Sequence, residues 1–208
     1  MNGKLPVILL LVSLCSLSGL SAAPLSVDVS AGVEYAYMTN SFADPVVSDT
    51  KTFIKRRDVG AALSLDMFFS DASRVGLSAS LSFRLPFSYT EQVGKGEPVV
   101  MDTSGVQALF GSVGPIFKVS LTDWLDFAVA MRIQLGALDF RKDITLGLQT
   151  EARLTFLFPD STFLSAGLHY DLHFRKYTPA GPLPYEVPFF MMTAAPFISG
   201  GVRFGGGK

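Results

Sequence analysis

The chain is poor in cysteine, histidine and charge: its 208 residues include one cysteine, two histidines and 17% charged residues. The cysteine, Cys15, lies in an N-terminal apolar run, so a chain that loses this run has no thiol and forms no disulfide. The alternative for Cys15 is acylation, but the bulky Leu14 stands where lipid-modified cysteines follow a small residue. A net charge of −1 without a dominant basic tract argues against nucleic-acid partners.

Long hydrophobic runs are also scarce. The apolar run from Leu5 to Leu17 is followed by the small residues Ser21, Ala22 and Ala23, which indicates a secretory signal cleaved after Ala23 or, alternatively, after Ser21. The run is shorter than the roughly 20 residues of a membrane-spanning helix, and no later segment is as long. A mean hydropathy of +0.37 must therefore be carried by something other than helices.

Between Val75 and Tyr89, large apolar side chains alternate with small or polar ones. The apolar positions are Val75, Leu77, Ala79, Leu81, Phe83, Leu85, Phe87 and Tyr89. Strand side chains alternate between two faces, so this segment predicts a strand with one apolar face. About 9–11 residues suffice to cross a membrane as a tilted strand, whereas soluble strands usually run about 5–6 residues.

Seven further segments repeat this design, which predicts an all-β, eight-stranded antiparallel transmembrane β-barrel with up-and-down meander topology. We assign 1–23 to the signal peptide, 24–204 to the barrel and 205–208 to a C-terminal tail. Long or proline-rich connections alternate with tight ones, as extracellular loops alternate with periplasmic turns, and only the connection near Leu138 to Asp143 breaks this alternation. The predicted long connections are 39–57, 90–104 and 176–186, and the predicted strands are 25–37, 59–69, 75–89, 109–121, 127–135, 144–158, 164–174 and 187–204.

A soluble barrel would show a similar alternation with its apolar face inward. The polar face decides, because glycine, alanine and serine crowd it, as expected for the narrow interior of eight strands. Aromatic residues also gather at strand ends, like the interfacial girdles of membrane barrels. The outer girdle is predicted to contain Tyr35, Tyr37, Phe87, Tyr89 and Phe174.

Charged residues on the polar face are balanced, and buried charges must be paired. We therefore predict an ion-pair network that fills the lumen and leaves no wide pore. Its acidic members are Asp28, Glu34, Asp66, Asp126, Glu151 and Asp171, and its basic members are Arg84, Lys118, Arg132, Arg153, Arg175 and Arg203. The candidate site within it comprises Glu34, Arg84, Arg132, Glu151, Arg153, His169, Asp171, His173 and Arg175.

His169, Asp171 and His173 share one strand face, with neighbours about 6–7 Å apart and the two histidines about 13 Å apart. One metal ion cannot bridge both histidines on a straight strand, so we expect no metal and no cofactor. A His-Asp metal or proton site is the alternative. A lipid-modifying enzyme would need a nucleophile oriented by histidine, and no serine motif nominates one, so we expect a protein that is not an enzyme.

A basic cluster, Lys55 to Arg57, precedes the second strand at its predicted outer end. It is either a solvated rim or a contact for lipid phosphates or a host polyanion. Pro86, Pro115 and Pro196 interrupt strands, and each removes a donor from a ladder that has no edge. They mark either bulges that shape the barrel or a break in the wall. The inward residues Phe110, Ile116, Phe189, Met191 and Phe197 would form an apolar binding lumen beside such a break.

The signal, the eight strands, the loop lengths and the closing segment Ile198 to Phe204 together resemble the small bacterial outer-membrane barrels of the OmpW/OmpX type. Gly201 to Phe204 resembles the aromatic-ended last strand that the barrel-assembly machinery recognises, although Gly205 to Lys208 extend past the usual terminal aromatic. The resemblance implies location in the outer membrane, among its lipids. OmpW-like relatives imply passage of small hydrophobic molecules, and OmpX-like relatives imply adhesion to host surface ligands or a structural role.

Overall fold

The computed structural model describes residues 26–43, 51–69, 73–104, 107–138, 143–177 and 187–205. The predicted signal peptide, most of the C-terminal tail and the Cys15 alternatives lie outside these ranges. Eight long strands and one short strand, β4, make up the described fold. Their bounds are β1 Ser26–Ala43, β2 Lys51–Phe68, β3 Val75–Val93, β4 Val99–Val100, β5 Ala108–Thr122, β6 Leu125–Leu138, β7 Asp143–Leu157, β8 Thr162–Tyr177 and β9 Val187–Phe204.

The eight long strands close into an antiparallel barrel. Each pairs with its neighbours in the chain, and β1 pairs with β9 to complete the ring. Val27 stands opposite Phe204 in this closing pair. The start of β1 and the end of β9 therefore lie at the same end of the barrel, which we call the periplasmic end. The predicted eight-stranded meander is confirmed.

No helix among the described residues combines the length and the apolar character needed to cross a membrane.

Odd and even residues of each strand alternate between the exterior and the lumen. The side chains that face the exterior are mostly apolar. Val33, Leu63 and Ile133 are exposed at 63%, 57% and 61%, yet they sit in the middle of their strands. Rings gather near both ends: Tyr35 lies 5.9 Å from Phe87, and the Trp124 ring stacks 6.0 Å from that of Phe156. Such a surface suits hydrocarbon rather than water.

The periplasmic end is made of tight turns, as the short connections predict. In the turn between β7 and β8, Ser161 adopts a positive φ of 67°, which is uncommon for a residue other than glycine. The Thr162 hydroxyl donates to Oδ1 of Asp160 at 2.6 Å, and this bond holds the pKa of Asp160 below its ordinary value. The turn therefore has its own local hydrogen bonds.

The outer end departs from the prediction. β1 continues to Ala43 and β2 already begins at Lys51, so most of the connection predicted at 39–57 is strand. β3 likewise continues to Val93 and pairs with β4 inside the predicted loop 90–104. The ladder of β1 with β9 ends at Met38 and Thr193, and that of β3 with β5 ends at Arg84 and Ala108. Above these pairs, β1 to β4 continue upward as an extension of the same sheet, which we call the outer extension.

A β-bulge at Pro86 and Phe87 inverts the faces of β3. The register against β2 shifts between Arg57, which faces Ser88, and Asp58, which faces Pro86. Phe87 is the extra residue, and one extra residue sends each later side chain to the opposite face. Tyr89 therefore packs against the buried interior cluster instead of lying in the outer girdle, and the prediction for this residue is wrong.

The other two strand prolines interrupt the wall in a different way. Pro115 keeps its partner Leu77 on β3, but the ladder of β5 with β6 is broken at this position without a change of register. Pro196 keeps its partner Leu168, while the ladder of β9 with β1 is broken there, again without a change of register. Bulges at these two prolines, one of the two alternatives from the sequence, are therefore not found in the described ladders.

Candidate functional site

The lumen has polar and apolar layers stacked along the barrel axis. Its lowest charged layer joins β9 to β1 and β6 near the periplasmic end. The Arg203 guanidinium donates to both carboxylate oxygens of Asp28, at 2.7 and 2.8 Å, and to Asp126 at 3.2 Å. Beside it, the Lys118 ammonium lies 4.0 Å from the centroid of the Phe68 ring. This layer closes the lower lumen with paired charges.

The middle layer is a chain of bonds centred on Glu151. Arg132 donates to Glu151 at 2.7 Å, and Arg153 donates to the other oxygen of the same carboxylate at 3.1 Å. Arg153 also pairs with Asp66 across the barrel, and Asp66 accepts a bond from Ser78. All of these side chains are buried, so β2, β3, β6 and β7 are joined through the lumen.

The upper layer of this network centres on Arg84, whose side chain is 2% exposed. It pairs with Glu34 of β1 and, at 2.7 Å, with Asp171 of β8. Nε2 of His169 lies 3.0 Å from Nη2 of Arg84 and 3.1 Å from Oε2 of Glu34. Gly60 makes room for this layer, because a Cβ there would stand 2.9 Å from Cγ of Glu34.

Gln149 connects the middle and upper charged layers. Its amide oxygen accepts from Arg132 at 2.9 Å, and its amide nitrogen donates to Asp171 at 2.9 Å. Between the two layers lies a small cavity lined by Ser80, Ser82 and Glu151 among others, with room for about one water molecule. The middle and upper charged layers are therefore connected at mid-barrel, and together with the lowest layer we call them the charge network.

Above the charge network the lumen contains a buried apolar cluster beside the buried ion pair of Arg56 and Asp58. We call the buried set Met38, Ile54, Ala108, Phe110 and Met191 the outer apolar cluster, against which Tyr89 packs. Phe110 borders both regions, since its ring centroid lies 5.0 Å from the Arg84 guanidinium carbon and 4.9 Å from the ring of His173. The cluster covers the charge network on the side of the outer end.

The apolar residues that the sequence grouped together are divided among three levels. Phe110 and Met191 belong to the outer apolar cluster, whereas Ile116 lies in a second buried cluster with Phe68, Ala128 and Ala130. Phe197 stacks on His169 at 5.6 Å, between these two clusters. The side chains of Phe189 and Arg175 lie outside the part of the chain that the structure describes.

Sequence reasoning missed one buried ion pair. Arg56 is 5% exposed and Asp58 is 6% exposed, and Nε of Arg56 donates to Oδ1 of Asp58 at 2.7 Å. Arg56 therefore points inward, and its assignment to an exterior basic rim is wrong. The alternation of Thr52, Ile54, Arg56 and Asp58 against exposed odd residues carried the signal.

Among the described residues, no group of three or more histidine, cysteine, aspartate or glutamate side chains is arranged to hold a metal ion.

Comparison with known proteins yields structural matches alone. No protein-family model and no curated protein match the sequence. The outer-membrane protein OprG of Pseudomonas aeruginosa matches with a TM-score of 0.55 and 11% identity, over 86% of this chain and 95% of its own.

Two further solved structures are similar. Ail of Yersinia pestis, solved with the heparin analogue sucrose octasulfate, matches with a TM-score of 0.47 and 12% identity, over 86% of this chain and 99% of its own. Neisserial surface protein A matches with a TM-score of 0.47 and 11% identity, over 85% and 95%. The match to OprG confirms the predicted architectural resemblance: the chain has the fold of an outer-membrane β-barrel.

Proposed function

We propose that this barrel passes small hydrophobic molecules from outside the cell sideways into the outer membrane, without catalysing a reaction. The observation that carries the proposal is the order of the layers: the outer apolar cluster lies directly above the charge network. An apolar solute finds matching surface at the outer apolar cluster, whereas crossing the charge network would strip paired charges of their partners. The remaining way out leads through the wall.

The wall offers a seam beside the outer apolar cluster. Strand β5 starts at Ala108, opposite Arg84, while β3 continues upward. Among the described residues, Leu85 to Ser88 of β3 have no ladder partner on the side of β5. Pro86 adds no backbone donor there. Ala108 and Phe110 line the inner side of this seam, and Leu85 and Phe87 are exposed on its outer side.

The absence of catalysis is proposed because the lumen carboxylates and guanidinium groups bind one another. Glu34, Asp171 and Glu151 each accept from at least one arginine. His169 lies against Arg84 and Glu34 rather than beside a serine nucleophile. These groups thus serve to close the lumen.

A cross-link across the seam tests the proposal. If the β3–β5 register continued upward, Leu85 would face Gln107, so we would oxidise the double variant Leu85→Cys/Gln107→Cys, adding a short bis-thiol linker if needed. Uptake of a small hydrophobic solute into liposomes should fall to the protein-free rate and recover on reduction. Met191→Lys, which places a charge in the outer apolar cluster, should lower uptake without any cross-link.

The matched control lies lower on the same two strands. Leu81 and Gly111 are paired, and a Cβ at Gly111 would meet nothing within 4 Å, so Leu81→Cys/Gly111→Cys should cross-link without altering uptake. Unchanged uptake in both the closed seam variant and Met191→Lys would refute the proposal.

A second candidate function is adhesion through the outer extension. Its residues Val99, Val100 and Met101 are exposed at 60%, 78% and 38% beyond the end of the β3–β5 ladder. Exposed apolar residues at a sheet edge suit contact with another protein. Binding of whole cells to host surfaces should then fall when β4 is replaced by a glycine-serine turn, with solute uptake unchanged.

A further inference from the structure

Two cations stand on the exterior face of β2, just above the apolar wall. Lys55 and Arg57 are exposed, and in the described part of the chain neither forms a salt bridge. Arg56 between them points into the lumen and pairs with Asp58. The two exterior cations are therefore separated from the charge network by the barrel wall.

Each of these cations is flanked on both sides by a hydroxyl group. Arg57 pairs with Tyr37 of β1 and Ser88 of β3, and Lys55 pairs with Thr39 and Thr90 of the same strands. Directly paired residues point to the same face, with Cβ atoms about 4.5–5.5 Å apart. Two cations and four hydroxyls therefore form one surface, which we call the cationic face: Tyr37, Thr39, Lys55, Arg57, Ser88 and Thr90.

This surface is recognisable as an anion site by its chemistry. A phosphate group takes hydrogen bonds from guanidinium, ammonium and hydroxyl donors together. The exterior side chains paired with Lys55 and Arg57 are uncharged, so no paired carboxylate competes for them. The bulge contributes directly, because the shift at Phe87 is what turns Ser88 and Thr90 toward the exterior.

The cationic face continues downward into apolar wall. Two residues below Arg57, Val59 is 50% exposed and pairs with Tyr35 on one side and Leu85 on the other. Tyr35 and Leu85 are each 42% exposed. A ligand that fits the whole surface thus has a phosphate at one end and acyl chains at the other.

We propose that the cationic face binds an anionic, phosphate-bearing lipid of the outer leaflet. Arg57 and Lys55 hold the headgroup phosphate, the flanking hydroxyls donate to its remaining oxygens, and the acyl chains lie along Val59, Tyr35 and Leu85. A soluble polyanion would match the cations but would gain nothing from the apolar wall below them. The continuity of the two surfaces therefore favours a lipid.

Native mass spectrometry of the barrel in neutral detergent tests this site with dimyristoyl phosphatidic acid as the probe. Each cation near an anionic lipid surface is worth about fivefold in affinity, so Lys55→Gln/Arg57→Gln should weaken binding about 25-fold. Phosphatidylcholine with the same chains should bind weakly to both proteins. Ser88→Ala/Thr90→Ala should weaken phosphatidic acid binding to a smaller extent, without changing the charge.

The control Lys95→Gln removes an exposed cation in the turn between β3 and β4, away from the cationic face, and should bind as the wild type does. Heat-modifiable gel mobility reports that every variant is folded. Millimolar inorganic phosphate and dextran sulfate should fail to displace the lipid. Equal binding by the wild type and Lys55→Gln/Arg57→Gln overturns the proposal, as does dextran sulfate binding that depends on these two residues while phosphatidic acid binding does not.

Discussion

The barrel below the Arg84–Ala108 pair and the barrel above it differ in almost every respect. Below the pair, the strands form a closed ring and the lumen is filled by the charge network. Above it, two ladders have ended, β3 has inverted its faces, and the lumen holds the outer apolar cluster beside one buried ion pair, Arg56–Asp58. The change of register at Phe87 lies just above the Arg84–Ala108 pair, where the lower region of the barrel gives way to the upper region.

The difference shows how one alternating pattern supports two tasks. In the lower region, Arg84, Arg132 and Arg153 form ion pairs with residues of other strands, and these pairs hold the strands together across the lumen. The upper region instead has the outer apolar cluster and a stretch of β3 that is unpaired on the side of β5. The lower region thus supplies stability, and the upper region is where we place solute binding and release.

The largest expected effect comes from breaking the charge network at Arg84. Arg84→Met leaves Glu34 and Asp171 buried without their arginine, and breaking a buried pair in this way costs about 3–5 kcal/mol of unfolding free energy. Urea unfolding in lipid vesicles measures the loss.

Neutralising the stranded carboxylates is the control for that variant. Arg84→Met/Glu34→Gln/Asp171→Asn should recover more than half of the lost stability, because the cost arises from unpaired charge rather than from the missing side chain. A triple variant no more stable than Arg84→Met would contradict the assignment of these residues to a network held by charge.

A smaller effect compares two buried phenylalanines on either side of the boundary. Phe68 is 1% exposed beneath Lys118, and Phe110 is 2% exposed beside Arg84. Phe68→Ala should cost about 3–5 kcal/mol, the usual range for a well-packed core. Phe110→Ala should cost about 1–2 kcal/mol less, because the cost depends on how far the surroundings can relax and Phe110 lies beside the unpaired seam.

Unfolding in urea and uptake into liposomes together check this pair. Phe110→Ala should alter solute uptake, while Phe68→Ala should leave uptake per folded protein unchanged. Equal losses of stability, with no difference in uptake, would show that the two regions are packed alike.

Most of the lower region can be predicted from the odd and even positions of its residues along each strand. Because side chains alternate strictly, placing Leu81 and Val33 outside obliges Arg84 and Glu34 to lie inside. Eight such strands enclose a narrow lumen, and the buried acidic and basic side chains within it must pair with one another. The ring and the buried charge set were accessible in this way, although the particular partners depend on the register between strands.

The upper region cannot be predicted in the same way, because the bulge in β3 breaks the alternation between odd and even residues there. Pro86 signals an irregularity, but the register against β2 decides that Phe87 is the extra residue and that Tyr89 therefore turns inward. The run Lys55 to Arg57 looks like a solvated rim until the strand is known to start at Lys51. Ile116 and Phe110 look alike in sequence, yet they belong to different layers.

The inversion at Phe87 is the central claim, and a nitroxide scan along β3 tests it most directly. Single cysteines from 79 to 92 would be spin-labelled in vesicles, and relaxation by oxygen, which concentrates in the bilayer, would be measured at each site. We predict high oxygen access at 81, 83, 85 and 87, then lower access at 89 than at 88 and 90, which lie on the exterior at headgroup level. Oxygen access at 89 as high as at 85 and 87 would contradict the inversion and, with it, the division of the barrel into two regions.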